Sequence, residues 1–174
     1  MKSPPPNVML LIENSAGGGG CVGADIAEIG SVLQGLGYPA SLGMCLDTAH
    51  AFAAGYDLRS AEQVDELLAS IDQSMSIARL RLMHLNDSKL HLGSGRDRHE
   101  NIGGGYIGLT GFANILTRPD VRRLPLILET PRQERRLEEL GLLKQAAALD
   151  LTQPRAILPI PSWESPEPQL VETA

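Results

Sequence analysis

The sequence predicts an α/β domain built on a parallel sheet, and three observations carry that expectation. Four short apolar runs are nearly continuous rather than alternating, as in strands covered on both faces. They are "NVMLLIEN" (7–14), "SLGMCLDT" (41–48), "RLRLMHLND" (79–87) and "LPLILET" (124–130). Stretches of helical period lie between and after them, giving strand then helix four times over. Hydrophobic residues make up 43% of the 174 residues and aromatics only 3%, so the core is aliphatic. That composition suits an α/β protein better than an all-β one.

Each helix expectation has its own local reason. In "ADIAEIGSVLQGLG" (24–37), Ile26, Ile29, Val32, Leu33 and Leu36 recur at helical spacing, and Gly37 is placed to stop the helix. "SAEQVDELLASIDQSM" (60–75) opens with Ser60 and Gln63 in capping-box spacing, and its apolar stripe is Val64, Leu67, Leu68 and Ile71. "TGFANILTRP" (110–119) reads as a short helix that must end near Pro119. "RQERRLEELGLLKQAAAL" (132–149) reads as a last helix with a charged face. Residues 1–149 therefore form one domain, equal to half of an eightfold (β/α)8 barrel, which needs about 250 residues when whole. Residues 150–174 read as a Pro-rich, disordered tail, with five prolines after Gln153.

Composition also excludes. No apolar run approaches the roughly 20 residues of a membrane span. "MKSPPPNVML" has no apolar core with a cleavage site, so no signal peptide is expected. The two cysteines, Cys21 and Cys45, form no CxxC, which points to a reducing, cytoplasmic compartment. The net charge of −6 argues weakly against a polyanionic partner, but that count omits bound cations.

The apolar runs end in residues that strands rarely choose: Glu13, Asp47, His84 with Asp87, and Glu129. His50, Asp97 and His99 follow closely after strand ends. In parallel α/β folds the carboxyl ends of the strands form the functional edge. Carboxylates with neutral imidazoles suit Zn²⁺, Mn²⁺ or Fe²⁺ rather than Ca²⁺ or Mg²⁺. Each residue has a plainer alternative. Asp47 before "TAHAFA" is also a good helix N-cap. His50 alone is more often a hydrogen-bonded histidine than a ligand. "DRH" (97–99) alone reads as a solvated charge run. Glu13 and Glu129 resist such readings, because each directly follows an apolar run. The shared position at one sheet edge is what favours a metal cluster. "AGGGG" (16–20) permits close backbone approach to a ligand. The long loop 89–108 carries Lys89, Arg96 and Arg98, which suit phosphate contacts. His91 in the same loop reads as exposed, or at most as a phosphate contact.

The strings "LIENSAG" (11–17), "CLDTAHAFAAGYDLR" (45–59), "HLNDSK" (84–89), "GSGRDRHENIGGGYIG" (93–108) and "PLILETP" (125–131) resemble the endonuclease IV family of apurinic/apyrimidinic endonucleases, over residues 7–145. The resemblance implies a TIM barrel with a trinuclear zinc site at its C-terminal face. It implies cleavage of the phosphodiester 5′ to an abasic site in double-stranded DNA, a step of base excision repair. It implies that Glu13 bridges two zincs and lies near the hydrolytic water, as the catalytic carboxylate. It places Asp47, His84 and Glu129 with Glu13 on one zinc, and His50, Asp97 and His99 on another. The third zinc of the family needs two histidines from earlier strands. This chain has only His50, His84, His91 and His99, and begins near the fifth strand of the family pattern. Ser15 and Ala49 stand where the family favours Thr and Cys. Two sites are thus expected to be largely complete, with Mn²⁺ as an alternative to Zn²⁺. Activity is expected to need a missing half, from another chain or from self-association. The alternatives are a non-catalytic metal-binding remnant and a related sugar-isomerase-like barrel; "DRHENIGGGYIG" speaks against the latter.

Overall fold

A computed structural model describes residue 5 and residues 7–148. The chain runs β1 (Leu10–Glu13), α1 (Ile26–Gly35), β2 (Leu42–Asp47), α2 (Thr48–Ala54), α3 (Ala61–Met75) and β3 (Leu80–His84). It continues through β4 (Asp87–Ser88), β5 (His99–Glu100), α4 (Gly108–Leu116), β6 (Leu126–Ile127) and α5 (Arg136–Ala147). Short 3-10 turns precede β3 and α5. The expected parallel arrangement is present: β1, β2, β3 and β6 lie side by side in that order, every pair parallel. The ladder sets Glu13 beside Cys45, and Asp47 beside His84.

The local signals act as read, with adjustments. Asp25 caps α1 by accepting from the Ala27 N–H, and Gly37 follows the helix at φ +73°. Ser60 Oγ accepts from the Gln63 N–H at 3.3 Å and donates to Gln63 Oε1 at 2.9 Å. Val64, Leu67 and Ile71 are buried against Met44, Leu46 and Met83 in one aliphatic core. Val32 and Leu36, expected in the buried stripe of α1, are exposed instead. The strands are shorter than the apolar runs that announce them, most of all β6. The run 79–87 divides because Asp87 leaves the sheet and pairs antiparallel with Glu100. The helix expected over 110–119 begins at Gly108 and ends at Leu116, ahead of Pro119. Helix α2 begins directly at the end of β2. The expected tail at 150–174 lies outside the described residues. No helix among those described is long and apolar enough to cross a membrane.

Candidate metal centre

Parallel strands deliver their last residues to one edge, and here those residues are acids and imidazoles. Glu13 ends β1, Asp47 ends β2 and His84 ends β3. Glu129 follows β6 by two residues. His84 Nδ1 lies 3.1 Å from Glu13 Oε1, 3.0 Å from Glu129 Oε2 and 3.7 Å from Asp47 Oδ2. A single imidazole nitrogen thus stands among three carboxylates. Ligand atoms of Glu13, Asp47, His84 and Glu129 all lie within 4.8 Å of one another.

A second group adjoins the first. His50 Nε2 lies 3.2 Å from Asp97 Oδ2, and His99 Nε2 lies 3.1 Å from Asp97 Oδ1. Asp47 Oδ2 is 3.8 Å from His99 Nε2, so Asp47 stands between the two groups. His50 Nδ1 sits 3.0 Å from the Asn14 carbonyl, and His99 Nδ1 sits 3.3 Å from the Glu129 carbonyl. Each Nδ1 donates its proton to that carbonyl, which leaves Nε2 with a bare lone pair. Both Nε2 atoms are buried without a hydrogen-bond partner among the described residues, and both face the Asp97 carboxyl group. In the neutral ring that lone pair opposes the carboxylate, an arrangement relieved by a proton or by a metal ion between them. Histidine ligands commonly show this same pattern, with the second nitrogen tied to a carbonyl. The donor set is therefore compatible with a bound divalent metal ion.

Local folding explains how the residues arrive. Asp47 Oδ1 caps α2 by accepting the His50 N–H at 2.9 Å, which turns His50 back over the strand end. One oxygen of Asp47 thus serves as the N-cap, and the other faces His84 and His99. Asp97 reaches His50 because its loop docks on the end of α2. Gly93 N–H donates to the Phe52 carbonyl and Gly95 N–H to the Ala53 carbonyl. Gly18 of the glycine run approaches that loop closely, and a Cβ there would lie 2.8 Å from the Gly95 oxygen.

Exposure differs across the cluster. The Asp47 side chain is 0% exposed, against 37% for Glu13, 45% for Glu129 and 58% for Asp97. Burial alone pulls the His50 pKa down, but Asp47, Asp97, the Asn14 carbonyl and Glu13 outweigh it and leave it raised. Burial, aided by Glu13 and Asp47, pushes the Cys45 thiol up to about 12, so Cys45 stays a thiol beside the cluster. Lys89, Arg96 and Arg98 are exposed on the loop beside the cluster rather than within it. The Lys89 N–H donates to the Arg98 carbonyl, and Arg98 Nη1 donates to the Asp97 carbonyl. His91 is exposed, with Nδ1 3.0 Å from the Leu92 carbonyl.

Sequence reasoning missed the residues that hold the cluster still. Asn14 Oδ1 accepts the Asp47 N–H at 2.7 Å, and its Nδ2 donates to the Asp47 carbonyl. Asn86 Nδ2 donates to Asp47 Oδ2 at 2.6 Å, while Asn86 Oδ1 accepts the Glu129 N–H. Thr48 Oγ1 donates to the Asn86 carbonyl and accepts its N–H. The signal was present in "IEN" and "HLND", where an asparagine follows each strand end.

Comparison with known proteins agrees with this fold. The family model described as xylose isomerase-like TIM barrel matches residues 4–149. The chain belongs to the xylose isomerase-like TIM barrel family. Within that family its relatives carry the name probable endonuclease 4. The one from Methanoculleus marisnigri is 52% identical over 138 residues, covering 79% of this chain and 49% of the relative. The one from Chlorobium phaeobacteroides is 46% identical over 136 residues, covering 78% and 48%. The crystal structure of endonuclease IV from Thermus thermophilus superposes with a TM-score of 0.69 at 37% identity, covering 79% of this chain and 49% of that one. The chain spans about half the length of the curated relatives it matches. The endonuclease IV resemblance of its motifs and the partial-barrel expectation are thus borne out.

Proposed function

We propose that this chain is the metal-binding half of an apurinic/apyrimidinic endonuclease of base excision repair. It acts in the cytoplasm on double-stranded DNA with abasic sites and hydrolyses the phosphodiester on their 5′ side. The carrying observation is the convergence of seven acids and imidazoles at the carboxyl ends of parallel strands. The names of its relatives support the choice of reaction.

Glu13, Asp47, His84 and Glu129 would hold one zinc ion, and His50, Asp97 and His99 a second, with Mn²⁺ as the alternative metal. Zinc bound there supplies Lewis acidity to a phosphate and eases deprotonation of water near neutral pH. Glu13 is the exposed carboxylate nearest both groups, which suits it to orient the attacking water and accept its proton. Asn14 and Asn86 fix Asp47 and Glu129, so little reorganisation remains for the reacting state. Lys89, Arg96 and Arg98 contact the DNA backbone beside the cut. An abasic sugar lacks a stacked base, so extruding it towards the strand ends is less demanding than flipping an intact nucleotide. The barrel of the family has eight strands, so incision requires a second βα half beside this one.

The test pairs metal analysis with incision. Purified chain should bind about two zinc ions, and should nick a duplex carrying one abasic-site mimic once the barrel is completed. Glu13→Gln should abolish incision and leave the fold intact. Retained incision by that variant would sink the role of Glu13, and a chain that binds no zinc would sink the reading as a whole.

A further inference from the structure

The distribution of exposed apolar side chains is uneven. Among the described residues, every large exposed hydrophobic lies on the first or the fourth βα unit. On the first these include Leu10 of β1 with Val32 and Leu36 of α1. On the fourth they are Leu126 and Ile127 of β6 with Leu137 and Leu140 of α5. The two central units, β2 with α3 and β3 with α4, expose none. Among the described residues β1 pairs only with β2, and β6 only with β3, so both sheet edges keep unpaired backbone groups.

The two flanks also differ in charge. No lysine or arginine occurs between residues 3 and 58. Glu28 lies on α1 in line with Val32 and Leu36 at four-residue spacing, and is exposed. One oxygen of Glu28 already accepts the Gly23 N–H. On α5, Arg136, Leu140 and Lys144 share the same spacing and are all exposed. Neighbouring helices around a parallel barrel run in the same direction. Glu28 sits in the first turn of α1 and Arg136 opens α5, so the opposite charges would meet at one level with Val32 opposite Leu140 below them.

We propose that the two flanks are complementary and pair between two copies of this chain. β6 and α5 of one copy lie against β1 and α1 of the other, at both junctions, so that a twofold dimer closes one eight-stranded barrel. Such closure removes every open edge and covers both apolar flanks at once. It also sets both metal clusters at the same end of the barrel. The proposal goes beyond the assigned reaction and does not depend on it, because it rests on the flanks alone.

The test uses the full chain in a Cys21→Ser background. Sedimentation equilibrium should give twice the chain mass at concentrations up to about 100 μM. Val32→Cys and Leu140→Cys variants, mixed and oxidised, should form a disulfide-linked dimer, while each alone should form none. Arg136→Glu should weaken the dimer about tenfold, and adding Glu28→Arg to it should restore the original affinity. A chain that stays monomeric throughout overturns the proposal. So does a dimer in which each single cysteine variant cross-links with itself, or in which the mixed pair does not cross-link.

Discussion

Asp47 and Asp87 are both wholly shut off from solvent, yet they are held in opposite ways. The Asp87 carboxylate accepts from the backbone N–H groups of Ser88, Gly103, Gly105, Ile107 and Gly108, and so organises the loop into the start of α4. Its acceptor sites are filled by neutral donors from the chain itself. Asp47 gives one oxygen to the α2 cap and shares the other between Asn86 and the face of two imidazoles. Glu139 of α5 resembles Asp87. It is fully buried and accepts from Asn101 Nδ2, the Ile102 N–H and Thr130 Oγ1. Burial of a carboxylate therefore does not mark a functional site. What marks it is a lone pair aimed at other ligand atoms rather than at a donor.

If the comparison is right, acids of the two kinds fail differently. The largest effect is expected for Asp87→Ala, which strands five buried or half-buried N–H groups and should destabilise the protein by about 3–5 kcal/mol in denaturant titration. Zinc should act on the other region. At a hundredfold excess over Kd it should stabilise the wild type by about 2.7 kcal/mol, and chelation should reverse this. A variant lacking both His50 and His84 should show much less of that gain.

The two regions also separate by pH. Burial pushes Asp87 up to about 6 despite its N–H donors. A raised folded pKa means that its stabilising contribution is fully present below the ordinary carboxylate value, near pH 4, and is lost as pH rises through about 6. Denaturant stability of the metal-free wild type should thus fall relative to Asp87→Asn between pH 4 and 7. Glu139→Gln keeps an oxygen for Asn101 and Ile102 and lets the Thr130 hydroxyl turn round, so it should cost only about 1 kcal/mol. The smallest stability change is expected for Glu13→Gln, within about 0.5 kcal/mol, while its zinc affinity should drop more than tenfold by competition with a metal dye. A Glu13 variant that loses stability and keeps zinc would erase the distinction between the two regions.

Much of this was legible in the sequence for a simple reason. Continuous apolar runs fix buried parallel strands, and a polar residue terminating such a run has few places to go but the functional edge. Glu13, Asp47, His84 and Glu129 were visible on that ground alone. Asp97 and His99 were weaker candidates, because "DRH" alone reads as a solvated charge run and they reach the cluster on a loop that docks through the N–H groups of Gly93 and Gly95. Glu139 was hidden in plain view. "RQERRLEEL" looks like a solvated face, and nothing local shows that one of its glutamates turns inward to meet Asn101 and Thr130. Val32 and Leu36 misled for the opposite reason: helical spacing identifies an apolar stripe but not whether this chain covers it.

The division of labour between the two oxygens of Asp47 ties a helix start to the cluster. Oδ1 caps α2 by accepting the His50 N–H at 2.9 Å, and Oδ2 accepts from Asn86 Nδ2 at 2.6 Å while facing His84 and His99. Replacing Asp47 would therefore disturb the start of helix α2 and the acid–imidazole cluster together.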